Sequence, residues 1–182
     1  SGNGDSEGDF EDSCPTKESA DLGSVLDAVE EAAEELAIPE VVYVGHSMGA
    51  AVGVLRTSRD PRIARLVSLG GMVHTAAFAE RKFGHQQPGD LMWDKPACPI
   101  SQPFLDDMRE VDSVLPLAPD LTLPWLLVHG DADTVVPPEE STEIAAKAGG
   151  AARVVLLEGV DHVFGDAGSQ MAEAVVRWLE GE

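Results

Sequence analysis

Short apolar runs alternate along this chain with longer stretches in which apolar residues recur every three or four positions. The runs at residues 41–44, 63–72, 126–129 and 154–157 have strand length, and each is closed by a glycine at or within two residues of its end. Leu22, Val25, Leu26, Val29, Ala33 and Leu36 recur at helical spacing instead, with Pro15 suited to the first turn and Pro39 ending the helix just past Ala37. Residues 50–55, 141–148 and 168–180 also read as helices, the last with Met171, Ala174, Val175 and Trp178 on one face. This alternation predicts an α/β fold. Residues 74–119 interrupt it with Pro88, Pro96, Pro99, Pro103, Pro116 and Pro119, and there the pattern predicts one helix over residues 104–115 in an irregular connection.

The run at residues 41–44 leads directly into Gly45-His46-Ser47-Met48-Gly49, a G-x-S-x-G between a strand and a helix. At such an elbow the serine sits on a strained turn where a flanking side chain would clash, so glycine is expected on both sides. The turn lifts the hydroxyl of Ser47 clear of the sheet and aims the amide of Met48 at the reacting oxygen. Two partners follow in order. Asp133 lies just past the run closed by Gly130, and His162 just past the run closed by Gly159. Ser, then Asp, then His, each beyond the end of a predicted strand, is the chain order of one triad architecture, distinct from the chymotrypsin and subtilisin orders.

With these residues in place, the chain resembles an α/β-hydrolase, in the branch of cinnamoyl and feruloyl esterases and serine aminopeptidase-like hydrolases. The segment from Gly4 to Asp12 resembles the stretch after the family's fourth strand, and the elbow, the His129-to-Pro137 segment and the Gly159-to-Phe164 segment follow in family order. The resemblance implies the C-terminal part of that fold: a mainly parallel sheet of about four strands flanked by helices. It implies one domain over residues 1–182 with a small lid inserted at 74–119. It also makes Ser47 the nucleophile, His162 the general base and then acid, Asp133 the acid that orients the imidazole, and Met48 an oxyanion donor. By the family's H-G-x-x-D pattern the triad acid is Asp133, and Asp131 is a turn residue; Asp161 is a second bystander. His74 and His85 are expected to make ordinary polar contacts.

The resemblance implies earlier strands and a further H-G segment that supplies a second oxyanion amide. No such segment precedes Ser47; His129-Gly130 is the one His-Gly pair in the sequence. Weak activity is therefore expected. The strand at residues 40–44 would become a sheet edge, with Val41, Val42, Tyr43 and Val44 in a run that has neither charge nor proline to discourage pairing, so self-association through it is a further expectation. The leading function is hydrolysis of small-molecule carboxylic esters. A serine aminopeptidase or amidase would use the same three residues, and a non-catalytic remnant or one half of a two-chain enzyme is the reading from a different class. The set requires no metal or organic cofactor, and serine at the elbow disfavours a dehalogenase-type alkyl-enzyme.

Charge narrows the partners. The formal charge is −21, and residues 1–40 hold thirteen Asp or Glu against one Lys. A chain so acidic lacks the cationic footprint that nucleic acid or an anionic membrane surface requires. Asp27, Glu30, Glu31, Glu34 and Glu35 line the polar side of the first helix without histidine partners, so they read as a solvated face and not a metal site. No apolar run approaches the roughly 20 residues of a membrane span, and with no basic-then-apolar leader the expected location is cytoplasmic. Cys14 and Cys98 have no C-x-x-C spacing and are expected to be reduced thiols.

Overall fold

The computed structural model describes residues 2 and 4–181. Its elements run α1 (Pro15–Leu36), β1 (Val41–His46), α2 (Met48–Thr57), β2 (Ile63–Leu69), α3 (Thr75–Phe83) and α4 (Gln102–Val111), then β3 (Trp125–Gly130), α5 (Glu139–Lys147), β4 (Ala152–Leu157) and α6 (Gly168–Leu179). The four strands are parallel and lie in the order β1-β2-β3-β4.

Parallel strands need crossovers, and the helices that provide them cover both faces of the sheet. Side chains alternate accordingly. Leu66, Trp125 and Leu127 face a core built with Ala51, Val54 and Leu55 of α2 and Ile144 of α5. Val67, Leu69, Leu126 and Val128 face the other way, where Met171, Ala174, Val175 and Trp178 of α6 close over them. Within the sheet, the Trp125 indole is satisfied internally: Nε1 donates to Ser68 Oγ at 3.0 Å. Every residue of β3 is buried, which makes its C-terminal end a rigid platform.

Three boundaries differ from expectation, each for a local reason. β2 ends at Leu69, short of residue 72, because Gly70 turns out of the extended region with φ +50°. α4 starts at Gln102, where Ser101 Oγ accepts the Phe104 amide, and stops at Val111, where Asp112 takes a positive φ. The connection between β2 and β3 also holds a second helix, α3, so it is more ordered than one helix in a loop. α3, α4 and the turn Met92–Asp94 share their own core of Phe78, Phe83, Met92, Ile100, Phe104 and Met108.

α1 also rotates relative to its apolar stripe. Pro15, Ser19, Gly23 and Leu26 are buried, while Val25 and Leu36 are exposed. Gly23 explains the rotation: a Cβ there would stand 2.4 Å from the Arg56 guanidinium, so α1 docks on α2 through its smallest residue. Arg56 is in turn held by Asp60 at 2.7 Å. Cys14 and Cys98 are free thiols.

Candidate active site

Ser47 links β1 to α2 with φ 55° and ψ −119°, a conformation that L-residues avoid. The turn is held by its own backbone, since the Ser47 amide donates to Leu69 O at 2.9 Å and Ser47 O accepts from Ala50 and Met72. Gly45 is required there: a Cβ would lie 2.3 Å from Gly49 O. The expectation for Gly49 is corrected, because a Cβ at that position would meet nothing closer than Tyr43 Oη at 3.7 Å. The close approach falls on the strand side of the elbow alone. Tyr43 Oη donates to Gly49 O at 2.8 Å, and burial pushes the phenol up to about 12, so it stays a neutral donor.

The three residues singled out in the sequence meet. His162 Nε2 lies 2.9 Å from Ser47 Oγ, and His162 Nδ1 lies 2.7 Å from Asp133 Oδ2. A carboxylate can only accept, so Nδ1 carries the hydrogen and Nε2 presents its lone pair to the hydroxyl. Asp133 Oδ1 accepts the amides of Val135 and Val136 at 2.7 and 2.9 Å. Burial alone would raise the Asp133 carboxyl; the hydrogen bonds from His162, Val136 and Val135 outweigh it, and the group is held below the ordinary carboxylate range.

The bystanders separate from this set. Asp131 Oδ1 accepts the Gly159 amide at 2.6 Å and so ties the loop after β3 to the loop after β4. Asp161 is exposed, as is His85, and His74 Nε2 pairs with Glu143 at 2.9 Å. Met48 is the first residue of α2, and its amide is one of the helix-start donors that have no partner within the helix.

Sequence reading missed three contributors. His46 Nε2 donates to His162 O at 2.8 Å, and its ring lies 4.8 Å from the His162 ring. His129 contacts Asp133 from inside β3. Gly70 leaves room for the pair, since a Cβ would fall 3.4 Å from His162 Nδ1 and 3.5 Å from Asp133 Oδ2. For His129 a signal was present: a polar residue closing an apolar run, four positions before the acid. Gly70 and His46 carried none beyond their proximity to strand ends.

An apolar cavity of about 160 Å³ opens beside Ser47, lined by Met48, Met72, Phe78, Phe83, Met92 and Phe104 among others. A wider acidic groove of about 430 Å³ follows the loop after β4, lined by Glu158, Asp161 and Asp166, but Ser47 does not line it. α3 is fastened to the loop that carries Asp133: Lys82 Nζ donates to Thr134 O at 2.8 Å. Buried Glu140 accepts the Val73 and His74 amides at 2.7 and 3.1 Å, which fixes the start of the connection between β2 and β3. Among the described residues no group of three or more His, Cys, Asp or Glu is placed to hold a metal ion, and no helix is long and apolar enough to cross a membrane.

A parallel sheet with serine on a strand-to-helix elbow, and with Asp and His on the loops after later strands, is an α/β-hydrolase fold. The chain belongs to the serine hydrolase (FSH1) family, which it matches over residues 2–165. Among solved structures it is similar to Est1E from Butyrivibrio proteoclasticus, with TM-score 0.78 and 20% identity over 92% of this chain and 70% of that one. Est1E with ferulic acid bound aligns with TM-score 0.73 and 22% identity, over 96% and 74% of the two chains. A chain from a structure described under the metagenome-derived lipolytic enzymes LipS and LipT gives TM-score 0.77 and 20% identity, over 100% of this chain and 79% of that one. At these identities the likeness is one of fold. No curated protein matches the sequence significantly.

Proposed function

We propose that this chain hydrolyses carboxylic esters through an acyl-enzyme on Ser47. The observation that carries the reading is the unbroken relay from Ser47 Oγ through His162, at 2.9 Å and 2.7 Å, to a buried carboxylate. In the first half-reaction Ser47 Oγ attacks the ester carbonyl carbon as His162 Nε2 takes its proton. The carbonyl electron pair moves onto oxygen, to which the Met48 amide can donate a hydrogen bond. Collapse of this intermediate breaks the bond to the alcohol, which leaves with the proton from His162. In the second half water replaces the alcohol, and the carboxylic acid departs with Ser47 restored.

α3 and α4 serve as the lid, and the cavity beneath them takes the acyl group. Its lining is Met, Phe and Trp93 with Ser13 and Ser47 as its polar members, and it holds no carboxylate to receive an amino terminus. That favours an apolar acyl chain over the charged end of a peptide. The test is covalent labelling with a fluorophosphonate, alongside turnover of a series of p-nitrophenyl esters. Wild type should label once and turn over, and Ser47→Ala should do neither while keeping its circular dichroism spectrum. Turnover retained by Ser47→Ala would remove Ser47 from the mechanism.

A further inference from the structure

Asp133 touches a second histidine. His129 is fully buried near the end of β3, with Nε2 3.1 Å from Asp133 Oδ2 and 3.1 Å from Val136 O. Its Nδ1 lies 2.7 Å from Ser141 Oγ on α5. Both neighbours of Nε2 are acceptors, a carboxylate and a carbonyl, so Nε2 must carry a hydrogen. The Ser141 hydroxyl can then donate to Nδ1, and the neutral ring satisfies every one of its polar atoms in a place that water does not reach.

The consequence falls on Asp133 Oδ2. This oxygen receives His162 from a surface loop on one side and His129 from the buried centre of the sheet on the other. Oδ1 is already fixed by two amides, so the four donors together leave the carboxylate no freedom to rotate. Of the two histidines, His129 stands on the more rigid element. We infer that His129 is a positioning residue: its Nε2 hydrogen sets the plane in which Asp133 accepts His162, and thereby the aim of His162 at Ser47. This rests on the reading of Ser47, His162 and Asp133 as the reacting set.

Two measurements test it. In wild-type protein labelled with 15N-histidine, His129 should be protonated at Nε2 and bare at Nδ1, and the low-field His162 Nδ1 proton should move further downfield in His129→Leu, where Oδ2 loses its competing donor. Kinetics are read per active site, counted by fluorophosphonate labelling run to completion. His129→Leu should lower kcat about 10- to 100-fold with KM unchanged, the range of one hydrogen bond to a charged group. His129→Gln, which keeps a donor near the Nε2 position, should recover most of that loss, and in an Asp133→Asn background the leucine should add little. A ring protonated at Nδ1, an unmoved His162 proton, a loss carried by KM, or an undiminished loss beside Asp133→Asn would each overturn the inference. Turnover surviving Ser47→Ala would instead overturn the reading of the reacting set, and the two NMR results would still decide whether His129 holds Asp133.

Discussion

His162 Nδ1 stands 2.7 Å from Asp133 Oδ2, although the two residues sit on loops after different strands. Two ties outside the pair set that distance. Asp131 grips Gly159 at the root of the His162 loop, and Lys82 holds Thr134 beside the acid. Neighbouring aspartates in one turn thus have separate work, one joining loops and the other facing the imidazole.

That division predicts unequal losses. Asp133→Asn should lower kcat by a thousandfold or more, on the order of 10⁴ where an amide in place of the triad acid leaves the wrong imidazole tautomer. Asp131→Asn keeps a carbonyl oxygen for the Gly159 amide and should cost only a few-fold. Steady-state kinetics on the two purified variants decide it, and equal losses would reassign the acid.

The elbow makes a second asymmetric pair. Gly45→Ala drives a Cβ against the Gly49 carbonyl at 2.3 Å, a backbone contact that no rotamer relieves. A loss toward the upper end of the roughly 1–3 kcal/mol of overpacking is expected, together with activity. Gly49→Ala meets only open contact distance and should melt close to wild type. Calorimetry of both variants separates them; a similar drop at Gly49 would contradict the geometry.

How much of this was legible in the sequence depended on whether the signal was local. The four strands, the G-x-S-x-G turn and the places of Ser47, Asp133 and His162 just beyond strands were readable because glycine and apolar runs report on their immediate neighbours, whereas the exact strand ends, such as that of β2 at Leu69, were not. The stripe on α1 was misread in rotation because Gly23 matters only once Arg56 lies against it. α3 went unseen although Thr75, Phe78, Ala79 and Phe83 have helical spacing, since the prolines that follow mask a helix of nine residues. The position of His129, four residues before Asp133 at the end of an apolar run, hinted at their contact, but the closure of Val136 and Ser141 around the ring is not encoded in that spacing.

Acid sensitivity should trace in part to Asp60. Its carboxyl is held well below the usual range, first by hydrogen bonds from Arg62, with burial opposing and Arg56 adding. A folded-state value below the unfolded one of about 3.9 stabilises the fold above that pH and is lost as pH falls through the folded value. Neutralising a chain of charge −21 acts in the opposite direction, so the difference between wild type and Asp60→Asn is the quantity to follow. In urea titrations that difference should be largest above about pH 5 and shrink below about 3.9. A difference constant down to pH 2 would show that the ion pairs contribute nothing.

The cavity size sets an acyl limit. A space of about 160 Å³ is close to the 150 Å³ that accepts a benzene ring in an engineered apolar core. Hydrolysis of p-nitrophenyl esters should therefore peak near acyl groups of about that bulk and fall for long chains. Phe104→Ala should shift the peak to longer acyl groups, at a stability cost of about 3–5 kcal/mol that active-site titration corrects for. A flat chain-length profile unchanged by Phe104→Ala would remove the cavity from specificity.

Among the described residues β1 is an edge of the sheet, paired with β2 alone, and Val44 on it is 48% exposed. Its residues Val41, Val42, Tyr43 and Val44 include no charge or proline, the composition that invites another strand at the open edge. A groove of about 180 Å³ beside Val41 continues the surface, its floor of Leu26, Val29, Ala33 and Ile38 bordered by Glu30, Glu40 and Arg62. What opposes pairing between copies is charge, since two chains of −21 repel strongly at low ionic strength. Salt shortens the reach of that repulsion to about 8 Å at 0.15 M, so association should increase with salt, the reverse of an assembly held by ion pairs. Light scattering at rising protein and salt concentration should show a monomer growing into dimers or larger species, and Val44→Lys should suppress the growth by placing a charge on the edge. A monodisperse monomer throughout, or growth indifferent to Val44→Lys, would show that β1 does not recruit a second strand.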